Sequence, residues 1–167
     1  VGKTSTKDMI NSVISQSFNT FATKGNFNNE IGVPLTIFQL DSSYSKAVVE
    51  MGMSNLGEIS RLTKIAKPQV AVITNIGTSH IGNLGSRENI LKAKLEVLEC
   101  LEGVAILNGD DEYLWGVREE ITHKTVYYGI ENKDADYIAY DVKCDNKGSL
   151  FKVNINESEH IFCVPVV

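Results

Sequence analysis

Gly2-Lys3-Thr4 places a glycine, a lysine and a hydroxyl side chain in the order that ends a phosphate-binding loop of the form G-x-x-x-x-G-K-[ST]. In such a loop, backbone N–H groups at a helix start meet phosphate oxygens, and the helix dipole favours negative charge there. Lys3 would reach the β- and γ-phosphates, and the Thr4 hydroxyl would ligate Mg²⁺. The tripeptide alone is weak evidence, because Gly-Lys-Thr at a helix start is commonplace.

Three further polar residues follow apolar, strand-like runs. Glu50 comes directly after Ala47-Val48-Val49, His80 closes Asn75-Ile76-Gly77-Thr78-Ser79-His80, and Asn108 precedes Gly109-Asp110-Asp111. Ligands of open α/β sheets bind at the carboxyl ends of the strands. With parallel strands, the three side chains would converge on the edge that holds phosphate. A carboxylate and an imidazole there suit divalent cations bridging phosphate oxygens. Each also has a plain role: Glu50 as a surface ion-pair partner, His80 as a loop histidine, Asn108 as a helix cap. Singly the plain roles are at least as good. Jointly, downstream of a phosphate loop, the metal and nucleotide reading is favoured.

Lys94 stands apart from its neighbours. A helix is predicted over residues 86–101, with Leu91, Leu95, Leu98 and Leu101 on one face and Glu88, Lys92, Glu96 and Glu99 on the other, spaced for ion pairs. Lys94 projects between Leu98 and Leu101, within the apolar face. Two readings stand. The stem packs while the ammonium reaches water, or burial favours a neutral amine able to take up CO₂ as a metal-binding carbamate. Helix geometry alone favours the first, and a neighbouring metal site the second.

These residues must be positioned by a chain of 167 residues, enough for one domain with a sizeable core. Hydrophobic residues make up 43% and charged residues 22%, the balance of a globular protein. The net charge is −5 with lysines and arginines scattered, which argues against a nucleic-acid partner. No apolar run is long enough to span a bilayer, and no signal-peptide pattern opens the sequence. Cys100, Cys144 and Cys163 form no CxxC pair, which reads as unpaired thiols in a reducing compartment. A cytoplasmic location without membrane insertion is expected. The opening at Val1-Gly2-Lys3-Thr4 and the closing Val164-Pro165-Val166-Val167 read as the ends of a piece of a longer protein.

Met9, Ile10, Val13, Ile14 and Phe18 recur at helical spacing over residues 3–18. Residues 24–32 read as a loop. Strands are predicted at 46–49 (short and buried), 70–74, 104–107 and 125–128, with helices at 56–66, 86–101 and 110–120. Strands alternating with helices imply a mainly parallel sheet flanked by helices. From about residue 134 the pattern changes to alternating strands at 137–144, 150–155 and 161–164, separated by turn signals. The expected architecture is α/β, with a parallel core over 1–133 and a small antiparallel appendage over 134–167.

Taken in order, the motifs resemble the central ATP-binding domain of the Mur ligases, a P-loop NTPase-like fold. The resemblance is carried by Gly2-Lys3-Thr4-Ser5-Thr6-Lys7, by residues 25–36 (GNFNNEIGVPLT) and by Glu50-Met51-Gly52-Met53. It continues through residues 75–81 (NIGTSHI), Ala93-Lys94-Leu95-Glu96 and Asn108-Gly109-Asp110-Asp111. It implies an ADP-forming amide ligase of peptidoglycan precursor synthesis, in which ATP activates a carboxylate as an acyl phosphate that an amine then attacks. The GNFNNEIGVPLT and EMGM stretches point to the member that joins D-alanyl-D-alanine to UDP-N-acetylmuramoyl-tripeptide.

By motif position, Gly2, Lys3, Thr4 and Ser5 would hold the nucleotide phosphates and Asn108 would read the adenine. Thr4 and Glu50 would hold one Mg²⁺, and His80 and carbamylated Lys94 would serve a second. Asn28 and Asn29 would line the γ-phosphate and acyl-phosphate region. Val1 stands where asparagine is common in the family. Family members carry a UDP-binding domain before this region and another domain after it, so the isolated segment, expected to be monomeric, is expected to be inactive. Weighed against this are a sister Mur or folylpolyglutamate-type ligase, a non-catalytic nucleotide-binding module and a structural domain with an accidental loop. The GNFNNE and EMGM stretches speak against the first, Glu50, His80 and Lys94 together against the second, and the ordered set of motifs against the third.

Overall fold

The computed structural model describes residues 2–165, so Val1, with the loop position assigned to it, and Val166 and Val167 lie outside the described residues. The elements run α1 (Lys3–Ile14), β1 (Thr20–Ala22), α2 (Gly32–Ile37), β2 (Lys46–Val48), α3 (Glu58–Ala66), β3 (Val70–Ile73), α4 (Ile81–Leu84) and α5 (Arg87–Leu95). A 3-10 turn (Glu96–Cys100) leads to β4 (Val104–Asn108), α6 (Glu112–Gly116), β5 (Lys124–Gly129), β6 (Tyr137–Asp145), β7 (Gly148–Ile155) and β8 (Ser158–Pro165).

β1 and β2 pair in parallel, as do β3 with β4 and β4 with β5. β6 starts parallel to β5, with Tyr128 opposite Tyr137, and then pairs antiparallel with β7, which pairs with β8. The antiparallel segment is therefore continuous with the parallel sheet. β2 and β3 do not hydrogen-bond to each other. Both line a cavity of about 720 Å³ that is also walled by Ile10 and Ile14 of α1.

The core explains why the central elements hold. β4 alternates, with Ala105 and Leu107 fully buried, the period expected of a strand whose two faces differ. They pack with Ile59 and Leu62 of α3, Ile90 of α5 and Leu114 of α6. α5 begins where the Ser86 hydroxyl accepts the Asn89 N–H, and α6 where Asp111 accepts from Tyr113 and Leu114, both N-caps of the usual kind.

Several expectations need correction. The helix predicted over 86–101 is two elements. α5 stops at Leu95, and its buried residues are Ile90 and Ala93 rather than Leu91 and Leu95. The tighter 3-10 turn puts Leu98 and Leu101, three residues apart, into the core together. Its acidic residues do not pair along the helix. Glu96 instead accepts from the Gly57 and Ser60 N–H groups at the start of α3, and Glu99 accepts from the Ser60 hydroxyl. α3 has no side-chain cap of its own, so a carboxylate from another element supplies both acceptors and charge for its dipole.

α1 starts at Lys3 as expected but ends at Ile14, four residues short of the predicted Phe18, and stays largely exposed. Ile10 and Ile14 line the cavity between β2 and β3, Val13 lies off that face and is 71% accessible, and only Lys7 is buried. β2 is likewise not a buried strand, since Lys46 and Ala47 are exposed. β1, α2 and α4 were not anticipated.

Candidate functional site

α1 starts at Gly2, whose φ of 77° is left-handed, and no side chain caps the helix. The first intrahelical bond runs from the Thr6 N–H to the Gly2 carbonyl. The N–H groups of Lys3, Thr4 and Ser5 thus lie in the first turn, where helices offer donors to anions. Lys3, Thr4 and Ser5 are exposed.

Glu50, two residues beyond β2, is buried. Its N–H donates to the Thr23 hydroxyl at 2.9 Å, and its Oε1 accepts from the Asn28 amide at 2.7 Å. Oε2 is buried without a hydrogen-bond partner. A buried carboxylate oxygen without a donor is costly unless something else compensates it, and a cation is the usual compensation. The Asn28 carbonyl in turn accepts the Gly52 N–H at 2.6 Å. A Cβ on Gly52 would stand only 3.2 Å from the Asn28 carboxamide, so the glycine of Glu50-Met51-Gly52-Met53 permits this close approach.

Asn29 does different work: its Oδ1 accepts from the Ile31 and Gly32 N–H groups and turns the chain into α2. Gly32 is required at that turn, because a Cβ there would lie 2.4 Å from the Phe27 backbone.

His80 N-caps the short α4 with a left-handed φ of 64° and is exposed. Lys94, half-buried on α5, donates from Nζ to the Asn75 carbonyl. Its amine is thus neither inside an apolar face nor snorkelled into water. Burial pushes its pKa down, Lys3's positive charge adds to this, and Asp111 opposes it. Lys3, Glu50, His80 and Lys94 all line the cavity between β2 and β3. Asn108 does not. It ends β4, and its amide donates to the Thr74 carbonyl at 3.0 Å.

Two residues that sequence reasoning passed over support the site: Lys7, which lines the cavity, and Thr23 behind it. Lys7 is 8% exposed, and its Nζ donates to the Thr23 carbonyl at 3.0 Å beside Asp8 at 2.9 Å. Thr23 therefore links a buried cation of α1 to the Glu50 backbone. Lys7 stood in the phosphate-loop motif without a role, whereas nothing in local sequence marked Thr23. Among the described residues, no cluster of three or more His, Cys, Asp or Glu side chains is poised as a metal site. The three cysteines are free thiols.

The Mur ligase middle domain model matches residues 1–167. A UDP-N-acetylmuramoyl-tripeptide–D-alanyl-D-alanine ligase of Bacillus subtilis is 43% identical over 99% of this chain, which covers 35% of that protein. The crystal structure of MurF from Acinetobacter baumannii superposes with a TM-score of 0.91 at 33% identity, covering 99% of this chain and 36% of that one. MurF from Thermotoga maritima in complex with ADP gives 0.85 at 30% identity, with 97% and 38% covered. The chain thus spans about a third of the length of the curated relatives it matches. A helix opened by Gly2-Lys3-Thr4, a buried carboxylate at a strand end and a match along the whole chain agree, and the chain belongs to the Mur ligase family as a middle domain.

Proposed function

We propose that this domain is the ATP-binding part of a ligase joining D-alanyl-D-alanine to UDP-N-acetylmuramoyl-tripeptide in peptidoglycan precursor synthesis, forming ADP through an acyl phosphate. The observation that carries the reading is Glu50, with one oxygen held by Asn28 and the other buried and open, on one cavity with Lys3, His80 and Lys94. The names of relatives such as those from Bacillus subtilis and Escherichia coli support the substrate pair, and the ADP complex of the Thermotoga maritima relative supports the nucleotide.

In this reading the first turn of α1, from Gly2 to Ser5, receives the phosphates, and Lys3 neutralises the transferring group. Asn108 would read the base. The residues present fit Mg²⁺, because the open Glu50 oxygen needs a cation. Thr4 and Glu50 would hold one ion, and His80 with a Lys94 carbamate a second. Bound Mg²⁺ supplies charge neutralisation that lets two anions meet and an acyl phosphate form. Asn28 steers Glu50, and Asn29 shapes the loop behind it.

No described helix is long and apolar enough to cross a membrane. In the proposed reading the protein acts in the cytoplasm as a monomer, without nucleic-acid contact. The test is D-alanyl-D-alanine-dependent phosphate release by the full-length protein with UDP-muramyl-tripeptide and Mg·ATP. Turnover with that pair is expected. Turnover only with a different amino acid would overturn the substrate assignment.

A further inference from the structure

The backbone from Thr74 to Ile76 is fastened by four side chains, two of which have no part in the function proposed above. Asn108 holds the Thr74 carbonyl and Lys94 the Asn75 carbonyl. Ile76 is gripped at both its main-chain groups. Its N–H donates to Asp111 Oδ2 at 2.6 Å, and its carbonyl accepts from Arg87 Nη2 at 2.8 Å and Nε at 3.2 Å. The Ile76 side chain is itself 1% exposed.

Both gripping residues are held in turn. Asp111 Oδ1 caps α6 through the Tyr113 and Leu114 N–H groups, each at 3.1 Å. The Arg87 guanidinium pairs with Glu112 at 2.9 Å and lies 4.1 Å from the centre of the Tyr113 ring. A planar guanidinium giving two bonds to one carbonyl fixes orientation as well as distance, which a lysine does not do. The starts of α5 and α6 thus form a bracket around one residue of the loop that leads to His80.

We infer that Arg87 and Asp111 are positioning residues for the loop from Thr74 to His80. They set where His80 and the Lys94 acceptor stand relative to Glu50 across the cavity. Asp111 lies three residues after Asn108, at the start of α6, so the grip on Ile76 comes from the element that follows β4. The structural bracket stands on its own hydrogen bonds, while its catalytic consequence rests on the ligase reading above. A loop displaced by even an ångström would leave ATP binding at α1 intact and slow the chemistry.

The test uses the full-length protein with Arg87→Met, Arg87→Lys and Asp111→Asn, and Glu112→Gln as a control that removes only the exposed ion pair. Amide hydrogen exchange is read for residues 74–80 and for β4, alongside kcat and the KM for ATP. Arg87→Met and Asp111→Asn are expected to speed exchange in the loop by about tenfold or more while β4 stays protected. kcat falls by roughly tenfold to a hundredfold with the KM for ATP little changed. Arg87→Lys recovers part of both, and Glu112→Gln alters neither. Unchanged loop exchange in Arg87→Met and Asp111→Asn would overturn the bracket, whatever the substrate proves to be. Faster loop exchange with unchanged kcat would overturn its catalytic role. A wild type inactive with the proposed substrate pair would sink the ligase reading, and the exchange result would still decide the bracket.

Discussion

The Asn28 amide donates to Glu50 Oε1 at 2.7 Å, while Glu50 Oε2 is buried with no hydrogen-bond partner among the described residues. Hydrogen bonds of this kind orient a metal-binding carboxylate, and their loss typically costs 10–100-fold in metal affinity. Asn28→Ala is expected to raise the Mg²⁺ concentration for half-maximal activity of the full-length protein by ~10–100-fold. A magnesium titration at saturating ATP checks this. An unchanged midpoint would mean that Asn28 serves only its own loop.

Thr23 supports the same carboxylate from behind, through the Glu50 N–H. Thr23→Val keeps the shape and removes the acceptor, leaving a buried N–H unpaired at a cost of about 1–3 kcal/mol. Denaturant unfolding should show a loss of that size, whereas Thr23→Ser, which keeps the hydroxyl, should lose less. A loss in Thr23→Val no larger than in Thr23→Ser would mean that the hydroxyl's bond to the Glu50 N–H contributes nothing beyond packing.

These two residues show where local sequence stops being informative. Glu50 and His80 were legible because each follows an apolar run, and both line the cavity between β2 and β3, whereas Asn108, at the end of β4, does not reach it. The partner of Glu50 was not, because Asn28 and Thr23 lie 22 and 27 residues away. β1 is three residues long, too short for periodicity to register. The split of the 86–101 helix was hidden for another reason. A 3-10 turn preserves i,i+3 spacing, so Leu98 and Leu101 satisfy either period, and only the contact of Glu96 with α3 separates them.

Acid stability should report on the start of α3. Glu58 accepts the Ser54 N–H at 2.7 Å and the Asn55 amide at 2.8 Å. The Ser54 N–H is the main cause that lowers its pKa below 4.5, with burial opposing it. A lowered carboxyl binds fewer protons folded than unfolded, so its contribution is complete above pH 4.5 and is lost as pH falls through the lowered value. Glu58→Gln should therefore flatten the fall of the melting temperature across that window and leave its shape unchanged near neutrality. An equally steep acid fall in the variant would shift the origin of acid lability to other carboxylates.

Lys94 offers the sharpest separation of roles, because its amine donates to the Asn75 carbonyl and it also lines the cavity shared with Glu50 and His80, where the proposed carbamate would form. Carbamate formation consumes the neutral amine and CO₂ and releases a proton. Burial and the charge of Lys3 lower the pKa and so enlarge the neutral fraction at a given pH. Lys94→Ala should lower kcat of the full-length enzyme by roughly a hundredfold, equivalent to about 2.7 kcal/mol of transition-state stabilisation. Acetate should restore part of that rate, since it returns a carboxylate but no donor for Asn75. Rescue by a small amine and not by acetate would instead assign Lys94 to holding the loop, with the carboxylate for a second ion coming from elsewhere.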